Sequence, residues 1–150
     1  MPSSVFKHMA NTNQELCVRG VIIRNDRILV CRAKEKDHYF FPGGHIEFGE
    51  TAETALGREL QEELGLSMNR SLFIGAVENI FQQDGIMHHE LNVVFEVQIA
   101  EGEIESQEAH IEFKWIDWTA FSEIRVLPIA LQQAIIQWIG DKKNFWSTQA

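Results

Sequence analysis

The sequence predicts an α+β fold or an α/β/α sandwich, and three observations carry that prediction. Runs rich in Val and Ile stand on both sides of one amphipathic helical segment; more strand-like runs follow it; a second amphipathic helix comes near the end. The chain has 150 residues and a hydrophobic fraction of 45%, enough for one domain with a real core.

In chain order, Met1 to Gln14 is polar and mixed and reads as a flexible tail, 1–14, with no apolar stretch of a secretory signal. The domain is expected over 15–142. Glu15 to Arg24 reads as a strand, Asn25-Asp26 as a turn and Arg27 to Arg32 as a second strand, making a hairpin. Ala33 to His38 is charged and reads as a loop, and Tyr39 to Phe41 as a short extended piece. Pro42-Gly43-Gly44 then combines a rigid bend with permissive backbone.

A helix is expected from about Ala52 to Leu64. A step of about 100° per residue puts Ala52, Leu56, Leu60 and Leu64 along one stripe that can pack on a sheet. Glu59 and Glu63 border the stripe, Glu62 sits further round with Arg58, and Gly65 is a natural stop. Gly57 is the awkward residue, since glycine inside a helix costs about 1 kcal/mol relative to alanine. Ser71 to Gln82 and Leu91 to Ala100 read as strands joined by a turn around Gln83-Asp84-Gly85, with His88, His89 and Glu90 as a polar cluster before the second. Glu101 to Glu108 is an acidic loop, Ile111 to Trp118 a strand and Leu127 to Ile139 a helix with Pro128 in its first turn. Residues 143–150 read as a loose tail.

Composition excludes some functions. A formal net charge of −9 argues against binding duplex nucleic acid, which needs clustered Lys and Arg. It is compatible with a phosphorylated small molecule whose charge is met by metal ions. No apolar run approaches the roughly 20 residues of a membrane span, and cytoplasm is the expected location. Cys17 and Cys31 fall on what read as neighbouring strands and are expected as buried, reduced thiols; there is no Cys-x-x-Cys and no zinc-ligand spacing.

The chemistry concentrates after the glycine bend. Glu59, Glu62 and Glu63, at i, i+3 and i+4, lie on one side of the helix and repel one another. A hard cation that prefers oxygen ligands, Mg²⁺ above all, turns them into a site; a solvated acidic face is the plainer alternative. Gly44, Glu50, Arg58, Glu59, Leu60, Glu62, Glu63, Gly65 and Leu66 stand at fixed offsets. That spacing resembles the Nudix box of pyrophosphate hydrolases at every fixed position.

The resemblance implies a Nudix-like α/β/α sandwich with a central mixed sheet and the box as loop-helix-loop. It implies Mg²⁺-dependent hydrolysis, with Mn²⁺ as a substitute, of a pyrophosphate bond in a nucleoside diphosphate linked to another group. Glu59 and Glu63 would be the main metal ligands, Glu62 a direct or water-mediated one, and the Gly44 carbonyl a further one. Glu63 and Glu62 would form the catalytic set, Glu63 as base, assisted by one of Glu101, Glu103, Glu105, Glu108 and Glu112. Glu50 and Arg58 would be a structural pair, with Arg58 as a phosphate binder the alternative. Arg19 and Arg32 would face substrate. Phe81 is among the aromatics, with Tyr39, Phe40, Phe41, Trp115 and Trp118, that could stack on a nucleobase. Known markers of one ADP-ribose subgroup and of the NADH and coenzyme A subgroups are absent, which speaks against those specialisations without excluding the activities; a nucleoside triphosphate, a nucleotide sugar and a dinucleoside polyphosphate are all open as substrate. A homodimer is compatible with the family. The rival reading is a non-catalytic nucleotide-sensing module of the same fold, but such modules usually lose box glutamates and this chain keeps them.

Overall fold

The computed structural model describes residues 11–150. Strands β1 (Thr12–Val21), β2 (Ile23–Arg24), β3 (Arg27–Ala33) and β4 (Gly43–His45) precede helix α1 (Ala52–Leu64). Then come β5 (Met68–Gln83), β6 (Ile86–Ile99), β7 (Ile111–Asp117), a 3₁₀ turn (Trp118–Glu123), helix α2 (Ile129–Asp141) and β8 (Phe145–Gln149). Among the described residues there are two sheets. The larger has the order β4-β1-β6-β5-β8 and is mixed: β1 runs parallel to β6, and β8 parallel to β5. The smaller has the order β2-β3-β7.

The helices lie on opposite sides of the large sheet. Leu56, Leu60 and Leu64 of α1 pack with Val18, Phe95 and Val97. Leu131, Ile135 and Trp138 of α2 pack with Val21, Val77, Val94 and Phe41. Val18 and Val21 differ by an odd number of residues, so the period-two pleat sends them to different cores. The α+β sandwich is thus the observed architecture, with a mixed central sheet.

Four expectations are corrected. The first strand and its hairpin divide at Ile22: Thr12–Val21 joins β6, and only Ile23–Arg24 pairs with Arg27–Ile28. Cys17 and Cys31 therefore sit in different sheets, both buried and free. The amino-terminal tail is shorter than 1–14, because Thr12–Gln14 pair with Met87–His89; residues 1–10 lie outside the described residues. The carboxy-terminal stretch is no loose tail, since β8 aligns Phe145–Gln149 with Gly75–Asn79. Finally, His88, His89 and Glu90 lie inside β6, not before it. Among the described residues, no helix is long and apolar enough to cross a membrane.

Candidate active site

The site is built on α1 and the bend before it. Thr51 caps the helix, its hydroxyl accepting from the Thr54 amide at 3.1 Å. Gly65 ends it at φ 64°, a left-handed conformation natural to glycine. Gly43 has φ 142°, and a Cβ there would stand 2.0 Å from the Val18 carbonyl oxygen. At Gly44 a Cβ would stand 2.5–2.8 Å from the Glu59 carboxylate atoms. Any side chain at 44 would push Glu59 away, so the glycine makes room for the carboxylate against the backbone.

Arg58 clasps the loop to the helix. Its Nε and Nη2 donate to the two Glu50 carboxylate oxygens, each at 2.8 Å, a bidentate pair. Nη2 also donates to the His45 carbonyl at 3.0 Å, and Nη1 to Glu59 Oε1 at 3.0 Å. Glu50 in turn accepts from the Glu47 amide at 2.9 Å. The Arg58 guanidinium and this amide hold the Glu50 carboxyl down at about 2, and its carboxylates hold the Arg58 guanidinium still higher than usual. These contacts use both Arg58 terminal nitrogens on protein acceptors.

Glu63 is the buried carboxylate, only 7% exposed, and its Oε2 has no hydrogen-bond partner. Burial, then the charge of Glu59, pushes it up to about 8, against the pull of Arg19. Glu62 points outward, its side chain 54% exposed and Oε2 3.4 Å from Arg58 Nη1. Glu59, Glu62 and Glu63 thus do not place three oxygens within 4.8 Å of one another; the described residues that reach such spacing are Glu15, Cys17 and His45.

The residues present fit a divalent cation at Glu59 and Glu63. Glu63 has a buried oxygen without a partner, and burial and the Glu59 charge oppose its ionisation, so a divalent cation between the two side chains would take the place of the proton. The glycine recess at Gly44 keeps that side open to Glu59.

Arg19 and Arg32 have separate fates. Arg19 donates to the Phe41 carbonyl at 3.1 Å and to Asn92 Oδ1 at 3.5 Å, and its charge reaches Glu63. Arg32 instead pairs with Glu112 across β3 and β7 and lies over the Tyr39 ring. Its neighbour Cys31 takes the face whose thiol feels Glu63, so alternation turns Arg32 away from the box. That pairing also occupies Glu112, which stands on β7. Of the loop glutamates, Glu108 is the one whose charge reaches Cys31 together with Glu63. The loop is docked there by the Gln107 amide, which donates to the Glu63 carbonyl at 2.9 Å.

Phe81 stacks on His88, ring centroids 4.9 Å apart and planes within 10°. Phe41 is buried in the core and Trp118 stacks on Phe121, so both are structural. Register places His88, Glu90 and Asn92 of β6 opposite Asn13, Glu15 and Cys17 of β1, and opposite Phe81, Asn79 and Val77 of β5. One sheet face therefore carries a polar floor leading from Arg19. Glu15, Asn79 and Asn92 were not singled out from the sequence, although polar residues at every second position of central strands are a readable signal. His89 faces the other side, 2.7 Å from Glu78.

Known proteins agree with this architecture. The family model described as the NUDIX domain matches residues 16–139. The ADP-ribose pyrophosphatase of Methanocaldococcus jannaschii is 27% identical over 114 residues, 74% of this chain and 66% of that protein. The 8-oxo-dGTP diphosphatase of Buchnera aphidicola is 30% identical over 103 residues, 66% of this chain and 74% of that protein. The chain thus spans about two thirds to three quarters of these relatives' lengths. The crystal structure of the MutT protein from Bacillus halodurans superposes with a TM-score of 0.74 at 18% identity, covering 89% of this chain and 88% of the other. The chain belongs to the NUDIX domain family, as a MutT-like Nudix hydrolase.

Proposed function

We propose that the protein is a Mg²⁺-dependent pyrophosphohydrolase that cleaves a phosphoanhydride bond in a nucleoside diphosphate linked to another group. The observation that carries this reading is the Glu59–Glu63 pair beside Gly44, with Glu63 buried, an oxygen unpartnered and its carboxyl raised by Glu59. Two similar proteins are named for nucleotides of this chemical kind, which supports the substrate class.

Glu59, Glu63 and the Gly44 carbonyl would hold the cation, with Glu62 drawn in from its contact with Arg58. Mn²⁺ would serve in place of Mg²⁺. When bound, such an ion would supply charge neutralisation on the diphosphate and would make water more acidic. Arg58 and Glu50 keep loop and helix in register, so the ligands hold their spacing. Arg19 extends positive charge from the sheet toward the same place, in a chain otherwise strongly acidic. Glu63 takes the proton of the attacking water, and Glu108 on the docked loop assists. Phe81 and the polar floor receive the nucleoside end.

The test is a panel of nucleoside triphosphates, nucleotide sugars and dinucleoside polyphosphates, with and without Mg²⁺, products identified by mass. Hydrolysis is expected only with the cation. Glu63→Gln is expected to lower kcat by about 10²–10⁴-fold, the usual worth of a general base. Unchanged turnover in that variant removes Glu63 from the chemistry. Nucleotide binding without hydrolysis of any panel member would favour the sensing module.

A further inference from the structure

A second ligand set lies on the sheet itself. Glu15 and Cys17 stand two residues apart on β1, so the pleat points both side chains to one face. Antiparallel register sets His45 of β4 directly opposite Cys17. One ligand atom from each residue, a carboxylate oxygen, the Cys17 Sγ and a His45 nitrogen, lies within 4.8 Å of the others. His45 Nε2 is 3.2 Å from Glu15 Oε2. His88 supplies an independent sign of something missing: its Nδ1 is buried without a hydrogen-bond partner and points to Glu15 Oε1 at 3.5 Å.

We propose that Glu15, Cys17 and His45 form a binding site for a borderline-soft divalent cation of the Zn²⁺ class. The donor set is one oxygen, one sulfur and one imidazole nitrogen, which suits such an ion and is poor for Mg²⁺. A fourth position would be left to water. The site is distinct from the box. Gly44 faces Glu59 and pairs with Val18, whereas the next residue, His45, turns to the other side with Cys17. Access is from the His45 side, whose side chain is 65% exposed, while Cys17 is sealed beneath. Burial first, then the negative charge of Glu90 and Glu15, opposes a free thiolate at Cys17, and the same negative charge favours a cation. On binding, the Cys17 S–H bond breaks, its proton passes to solvent, and the sulfur's electron pair makes the bond to the metal. The bound ion ties edge strand β4 to β1, and with it the Gly43–Gly44 bend.

The experiment is titration of the folded protein, in saturating Mg²⁺, with Co²⁺ as a spectroscopic probe and with Zn²⁺ in competition. Wild type is expected to take about one Co²⁺ per chain with a sulfur-to-cobalt charge-transfer band, and Zn²⁺ is expected to abolish the band. Cys17→Ser is expected to lose the band. His45→Ala, at an exposed position where folding is not in question, is expected to weaken Co²⁺ affinity at least about tenfold. Cys31→Ser and Glu63→Gln are expected to keep the band. The proposal is overturned if wild type shows no band, if Cys17→Ser keeps it, if His45→Ala binds as tightly as wild type, or if Cys31→Ser or Glu63→Gln removes it.

Discussion

Burying a carboxylate without a partner costs free energy unless it holds its proton, and Glu63 shows the consequence. Its folded-state value of about 8 stands above the ordinary glutamate range. Between about pH 4 and about pH 8 the folded chain therefore holds a proton that the unfolded chain has released. The sign follows: in the absence of divalent cation, stability is greatest on the acid side and declines as pH rises through that window. Melting temperature measured against pH in chelator should show the decline, and Glu63→Gln should flatten it. A cation that takes Glu63 as ligand must displace the proton, so addition near neutral pH should acidify a weakly buffered solution. Arg58 is the other decisive residue. Arg58→Lys keeps the charge but cannot form the two-pronged bond to Glu50 while also reaching His45 and Glu59. Its metal affinity or turnover should fall about 10–100-fold, as for residues that orient ligands, readable by calorimetry and by rate. The Arg58–Glu50 pairing was expected from the resemblance to the Nudix box, in which both residues stand at fixed offsets. The Arg32–Glu112 pairing was not, because it depends on which strands of the small sheet become neighbours.

At the scale of elements, helix α1 was the most legible part of the chain. Stripe, cap and terminal glycine agree, and Ala52–Leu64 is where the helix lies. Gly57 is its one weak point, and the structure offers no steric reason for it: a Cβ there would meet only Met68 Cε at 3.8 Å. Gly57→Ala should therefore raise unfolding free energy by about 1 kcal/mol, measured by denaturant titration. Strands were harder to read. β8 has a half-buried Phe145 followed by an exposed Trp146 and polar residues, a pattern that sequence cannot tell from a tail. It is a strand because the edge of β5 not taken by β6 is open along Gly75–Asn79, and Phe145–Gln149 pairs with it there. The histidine pair was placed outside β6 for the same reason. Polar residues inside a strand become intelligible only once one face is seen to be a floor rather than a core.

For the molecule as a whole, periodicity made the class readable and the family resemblance the layer order, while the site was readable only in its helical half. Glu59, Glu62 and Glu63 announce themselves by sequence spacing. Polar alternation marks the strands that carry Glu15, Asn79 and Asn92, but which of them meet one another and His45 is set by strand register, which no local pattern encodes. In the proposed site the ligands come from α1 and from the bend that joins it to the large sheet, so cation binding there should register on the entire fold. An ion at a hundred times its dissociation constant adds about 2.7 kcal/mol to a two-state fold. Saturating Mg²⁺ should accordingly raise the melting temperature of wild type, and leave that of a Glu59→Gln, Glu63→Gln double variant where it was.

The Arg58–Glu50 clasp has one more outcome. Because it grips the stretch between Gly44 and Thr51 at its far end and at the His45 carbonyl, the fully exposed Phe48 is relieved of any duty to hold the carboxylates in place. Such a position is free to swap one rim side chain for another, changing what is admitted while the glutamates beneath keep their spacing.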